Sequence, residues 1–197
     1  MSDDGQRAFQ HLQDKIAESL EVKKAFFAKN SELLLQTAQW MGACLREGKK
    51  ILVCGNGGSA SDSQHFAGEM VGRFLRERQP LPMISLTTDT AILTAIGNDY
   101  GYDEVFARQV EALGSSGDLL FAISTSGNSP NVLKAVAAAK RKNMRVVSMT
   151  GKDGGKLGGI SDIHLNVALG KNPARIQETH IMIVHNLVDL VDEFYLQ

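Results

Sequence analysis

From about residue 7 to residue 46, apolar side chains recur at the three- and four-residue spacing of an amphipathic helix. Phe9, Leu12, Ile16 and Leu20 form one series; Leu33, Leu34, Trp40, Met41 and Leu45, with Thr37 among them, form another. Asn30 and Ser31 supply an N-cap for a second helical segment, and Gly48 supplies its stop. Two helices are therefore expected ahead of the first strand, their apolar faces available to the core or to another subunit. Beyond residue 48 the pattern changes. Strands are expected near 50–54, 82–87, 118–123, 144–149 and 162–167, with helices near 59–74, 103–112, 129–143 and 173–195. Such alternation predicts right-handed βαβ units, hence an α/β fold with a parallel sheet and helices on both faces. The last strand alternates polar and apolar residues, as a half-exposed edge does. Residues 151–159 hold five of the 19 glycines and are expected to form a flexible connection.

The most informative feature is a pair of small, polar loops, each following an apolar strand and preceding a helical pattern. The first is Gly55, Asn56, Gly57, Gly58, Ser59 and Ala60; the second is Ser124, Thr125, Ser126, Gly127, Asn128 and Ser129. A strand, a small polar loop and a helix start together present backbone N–H groups and hydroxyls to an anion. Two such loops predict a phosphorylated small molecule held between them. The first loop also satisfies the G-x-G-x-x-A dinucleotide fingerprint, with Asp89 beyond the next strand. Asp89 lies further on than the usual ~20 residues, and a dinucleotide fold has no need of the second loop.

Charge adds an exclusion. The chain has 197 residues, 21 Lys and Arg against 22 Asp and Glu, and no basic block, so a nucleic-acid partner is not expected. The length suits one domain over 1–197, with 1–48 as its N-terminal helical segment. Cys44 and Cys54 make no disulfide framework, and Cys54, at the end of an apolar strand, reads as a buried thiol. No apolar run approaches a membrane span and the acidic start lacks a signal-peptide core, so a soluble cytoplasmic protein is expected.

Three further segments carry candidate chemistry. His65 and Glu69 stand four apart on the helix after the first loop and share a face, as a metal-ligand pair, a proton-transfer pair or a surface ion pair would. The last helix carries Gln177, His180 and His185 among apolar residues. At 100° per residue Gln177 lies about 60° from His180 and about 80° from His185, while the two histidines diverge by about 140°. Either could act with Gln177, and at least one belongs to the core. Asn98 and Asp99 fall in a loop by composition at 96–101, as a turn or as a grip on sugar hydroxyls. Arg73 and Arg175 are the nearest cations, with surface roles as the default.

Taken together these segments resemble the sugar isomerase (SIS) domain family, over nearly the whole chain. The matching stretches are 54–59, 65–69, 94–101, 123–129, 150–155 and 175–178. The resemblance implies a five-stranded parallel sheet of flavodoxin-like kind flanked by helices. It also implies a homotetramer with sites at subunit interfaces, assembled through the N-terminal helices. The implied activity is conversion of sedoheptulose 7-phosphate to D-glycero-D-manno-heptose 7-phosphate, for the heptose of bacterial lipopolysaccharide or another surface glycan. On this resemblance Glu69 and His185 carry the catalysis, and His65, Glu69, Gln177 and His185 match residues that hold zinc in some members. Asn56, Gly57, Gly58, Glu69, Asn98, Asp99, Ser124, Thr125, Ser126, Ser129 and Gln177 match the substrate contacts. The family also contains a non-catalytic member that binds the replication initiator DnaA. That member resembles a serine form at the position of Glu69 and an asparagine form at that of His185, while keeping a histidine matching His180. Glu69 and His185 therefore favour the enzyme reading.

Overall fold

The computed structural model describes residues 1–195. Five strands form one parallel sheet: β1 (Ile51–Gly55), β2 (Met83–Ser85), β3 (Leu119–Ser124), β4 (Arg145–Gly151) and β5 (Ile163–Val167). Their order is β2-β1-β3-β4-β5, the flavodoxin-type order. The helices are α1 (Asp3–Arg46), α2 (Gly58–Val71), α3 (Thr90–Tyr100), α4 (Ala107–Leu113), α5 (Pro130–Arg141), α6 (Gly155–Ile160) and α7 (Pro173–Tyr195).

Alternation along the strands sorts side chains to two faces. Val53, Phe121, Ile123, Val147 and Met149 meet α1, α2 and α7 in one core. Leu52, Cys54, Leu120, Ala122 and Val146 meet α4, α5 and α6 in the other. Phe66 of α2 packs edge-on to Phe121 of β3, ring centroids 5.2 Å apart. Such a contact contributes ~0.5–1.5 kcal/mol beyond area burial and seats α2 on the sheet. β5 is an edge, its inward residues buried and its alternate residues half-exposed, as its pattern predicts. Cys54 is fully buried, and burial pushes its thiol up to about 12.

Three expectations need correction. The N-terminal segment is one 44-residue helix, not two. Asn30 Nδ2 donates to the Phe26 carbonyl at 2.9 Å and Ser31 Oγ to the Phe27 carbonyl at 2.6 Å. Both side chains bond back to the preceding turn, which lets the helix run through a site that reads locally as a cap. Residues 96–100, expected as loop, complete α3; Asp89 caps that helix by accepting from Ile92 N at 2.9 Å. Residues 151–159 are a packed turn and the short α6, not a slack connection.

The sheet order decides where a ligand can sit. β1 and β3 are neighbours, with Gly55 beside Ile123, but β1 continues to β2 on one side and β3 to β4 on the other. The loops leaving their C-terminal ends therefore diverge and open a crevice.

Candidate active site

Both Gly/Ser loops border that crevice. Ser124 ends β3, its Oγ lying 2.9 Å from Ser129 Oγ and 3.5 Å from Ser126 Oγ. Ser129 stands at the N-cap of α5 but its hydroxyl makes no capping bond. These hydroxyls bond chiefly to one another and can turn toward an anion at the helix start. Gly127 holds φ +64°, and a Cβ there would collide with the Gly154 carbonyl. Leu157 N donates to the Gly127 carbonyl at 3.0 Å and Lys156 N to Asn128 Oδ1 at 3.1 Å. The glycine-rich stretch after β4 thus buttresses the serine loop.

The first loop is held from two sides. A Cβ on Gly58 would overlap the Gln177 carboxamide, so Gln177 of α7 lies directly on the start of α2. Asn56 Nδ2 donates to Asn131 Oδ1 at 2.8 Å and Asn131 Nδ2 to Asn56 Oδ1 at 2.9 Å. Tyr102 also donates to Asn56 Oδ1, at 3.1 Å. The reciprocal amide pair straps the first loop to the helix that follows the second. It also occupies the Asn56 side chain, leaving the backbone of the loop to face a ligand. Asn131 is buried and escaped sequence reasoning; its place as the second residue of α5 reads as an ordinary helix polar residue.

Along α2, Gly58, Asp62, His65 and Glu69 fall within about 60° of one another, the face turned to α7. His65 Nε2 lies 3.5 Å from Glu69 Oε1 and 2.8 Å from His185 Nε2. Phe74 lies against the His185 ring, centroids 5.4 Å apart. Of the two histidines that spacing left open, His185 joins the site. His180 is fully buried, its Nε2 donating to the Thr150 carbonyl at 3.1 Å, and burial pushes its pKa down to about 4. Asp62 is buried with Oδ2 unpartnered, and burial raises its carboxyl to about 6.

Other candidates are placed apart from these contacts. Asn98 and Asp99 are exposed at the end of α3 and bond to each other at 2.7 Å. Arg73 makes a 3.6 Å surface pair with Glu77, and Arg175 pairs with Glu178 at 2.6 Å and Glu18 at 3.8 Å, tying α7 to α1.

Two imidazole nitrogens, a carboxylate and a nearby amide are donors that suit zinc in kind. Their spacing is that of a hydrogen-bonded pair: 2.8 Å between nitrogens, against the roughly 3.3 Å that two nitrogens keep around tetrahedral zinc. Among the described residues no group of three or more His, Cys, Asp or Glu is disposed around a metal position.

The SIS domain family model matches residues 15–151. The chain belongs to the SIS domain family. Within it, a phosphoheptose isomerase of Neisseria meningitidis is 50% identical over 193 residues, covering 94% of this chain and 98% of the relative. One from Campylobacter concisus is 52% identical over 187 residues, covering 93% and 98%. Among solved structures, phosphoheptose isomerase GmhA from Neisseria gonorrhoeae superposes with TM-score 0.89 at 47% identity, covering 94% of this chain and 99% of that one. The SIS family model stops before α7, whereas these full-length relatives extend across the helix that supplies Gln177 and His185.

Proposed function

We propose that this chain isomerises sedoheptulose 7-phosphate to D-glycero-D-manno-heptose 7-phosphate, in the cytoplasm, for bacterial heptose and surface-glycan synthesis. The observation that carries the reading is the near-full-length likeness to phosphoheptose isomerases, 50% identical across 94% of the chain. The meeting of His65, Glu69 and His185 beside the two loops supports it chemically.

A ketose becomes an aldose when a proton leaves C1, an enediol forms, and a proton returns to C2. One carboxylate above the reacting carbons can take and return it, and Glu69 is the group assigned that task. The oxygens exchange a proton as well: O2 gains one and O1 loses one. His185, bonded through Nε2 to His65, is assigned to that exchange. Ser124, Thr125, Ser126 and Ser129 hold the phosphate, with the backbone at Asn56, Gly57 and Gly58 and the Gln177 amide closing the other side. Asn98 and Asp99 are assigned to sugar hydroxyls. Binding at the phosphate end then orients carbons at the far end of the chain. Zinc would be held by His65, Glu69, Gln177 and His185, once the two rings part by about half an ångström. When bound it would polarise the substrate carbonyl.

The assembly proposed is a homotetramer with sites at subunit interfaces. Its support is the N-terminal half of α1, where Phe9, Leu12, Ile16 and Leu20 form a single stripe that is 45–61% exposed. An isolated chain leaves that stripe to water. Among the described residues no helix is long and apolar enough to cross a membrane.

Turnover of sedoheptulose 7-phosphate by the purified protein tests the activity, before and after chelation and zinc return. Glu69→Gln should lower kcat by roughly 10²–10⁴ with KM little changed. Near-normal turnover by that variant removes Glu69 from the chemistry. No turnover by the natural chain, with or without zinc, overturns the isomerase reading in favour of the initiator-binding one.

A further inference from the structure

Between α2 and β2 the chain runs over 72–82 without helix or strand, and one arginine of that segment turns inward. The Arg78 side chain is fully buried. Its Nε bonds to Asp192 Oδ1 of α7 at 2.5 Å. Its Nη2 donates to the backbone carbonyl of Glu69 at 2.8 Å, and its Nη1 to that of Met70 at 2.8 Å. Longer contacts from Nη1 reach the carbonyls of Gly72 at 3.4 Å and Gln79 at 3.2 Å.

The last carbonyls of a helix have no donor within it, and they form the negative end of its dipole. Arg78 supplies both donors and charge to that end of α2. Its other edge is tied to Asp192, seven positions after His185 and so on the same face of α7. One guanidinium thus spans the two helices that bring His65 and Glu69 to His185, and it grips the main chain of Glu69 itself.

A buried ion pair is a poor way to gain stability, because apolar residues of like volume often do as well or better. What the pair supplies and an apolar contact lacks is direction. We propose that Arg78 and Asp192 are positioning residues: they set the register and rotation at which α2 presents Glu69 and His65 to His185. This rests on the isomerase reading above. Lysine would not replace the arginine, since one ammonium cannot reproduce a planar fork that bonds two carbonyls and a carboxylate together.

The test uses the full-length, assembled protein and three variants: Arg78→Lys, Asp192→Asn and the apolar pair Arg78→Met with Asp192→Leu. The apolar pair should unfold cooperatively, at a Tm lowered by the loss of the Arg78 donors to the Glu69 and Met70 carbonyls, and keep KM within about threefold, while kcat falls by about tenfold to a hundredfold, the scale of a small misplacement of reacting groups. Arg78→Lys should lose kcat to a similar extent. Asp192→Asn keeps the carbonyl bonds and should lose less. Crystal structures of the natural protein and the apolar pair, both chelated, should place His65 Nε2 and His185 Nε2 further apart in the variant. A folded apolar pair with natural kcat overturns the proposal. If that pair does not fold, natural kcat in Arg78→Lys overturns it instead. If the natural chain turns nothing over, the isomerase reading fails, and the histidine separation alone decides the positioning role: an unchanged separation overturns it.

Discussion

His65 and His185, 120 residues apart in the chain, meet Nε2 to Nε2 at 2.8 Å. One ring must donate and the other accept, because a neutral imidazole carries a single N–H. The accepting nitrogen uses its lone pair on its neighbour. Any ligand that takes both nitrogens must open this bond first, so the site's chemistry depends on how α2 and α7 are held together.

Gly58 is one point of that hold. Alanine at the first turn of a helix ordinarily favours folding by roughly 0.5–1 kcal/mol over glycine. Here its methyl would overlap the Gln177 carboxamide. Gly58→Ala should therefore fold normally by circular dichroism yet lose about tenfold or more in kcat/KM, in line with displacement of a positioned group. Unchanged kinetics would separate Gln177 from the reaction.

Asn131→Ala removes both bonds of the amide strap and leaves Asn56 with the Tyr102 hydroxyl alone. The expected cost is about 1–3 kcal/mol in chemical denaturation, the range for a buried partner left unsatisfied. KM should rise, because the two ligand loops are no longer tied. Asn131→Asp still accepts from Val132 N but cannot donate to Asn56 Oδ1, so it should fall between.

Two buried groups act on stability with opposite sign. His180 stays neutral in the folded chain down to about pH 4, while its unfolded counterpart takes a proton near 6.5. The unfolded state binds more protons across that window, so stability falls as pH drops from 6.5 towards 4. His180→Phe should remove this contribution, so that urea midpoints from pH 7.5 to 4.5 no longer carry a loss of stability on the acid side from this group, and should leave turnover measurable at neutral pH.

Asp62 works the other way. Its carboxyl keeps a proton up to about pH 6 when folded and loses it near 3.8 when unfolded. The folded state binds more protons in between, so stability falls as pH rises through that window and stays lower above it. Asp62→Asn should stabilise the protein at pH 7 relative to the natural chain. The natural profile between pH 4 and 6 should be flatter than that of either single variant, because the two slopes oppose. A single-variant profile that parallels the natural one would show that the group contributes nothing.

Much of the site was legible because it is local. His65 and Glu69 share a face through four-residue spacing alone, and the serine loop is contiguous from Ser124 to Ser129. Errors arose where a local signal had a distant or internal competitor. Asn30 and Ser31 read as a cap, but their side chains bond back to the Phe26 and Phe27 carbonyls inside a helix packed on α7 and β5. The glycines at 154 and 155 read as slack, yet a Cβ on Gly155 would overlap the Ser126 carbonyl of the serine loop and one on Gly154 the His164 ring.

The sequence by itself determined the α/β alternation, the two loops at strand ends and the face of α2 that carries His65 and Glu69. Each follows from periodicity or adjacency within a few residues. Helical spacing left His180 and His185 open and the family resemblance pointed to His185; only the tertiary structure decided how closely His185 meets His65, that Asn131 straps the loops, and that Arg78 joins Glu69 to Asp192. Helical spacing sets angles within one helix. The rotation of α7 against α2 and the sheet is set by packing between segments more than a hundred residues apart, and no local pattern encodes it.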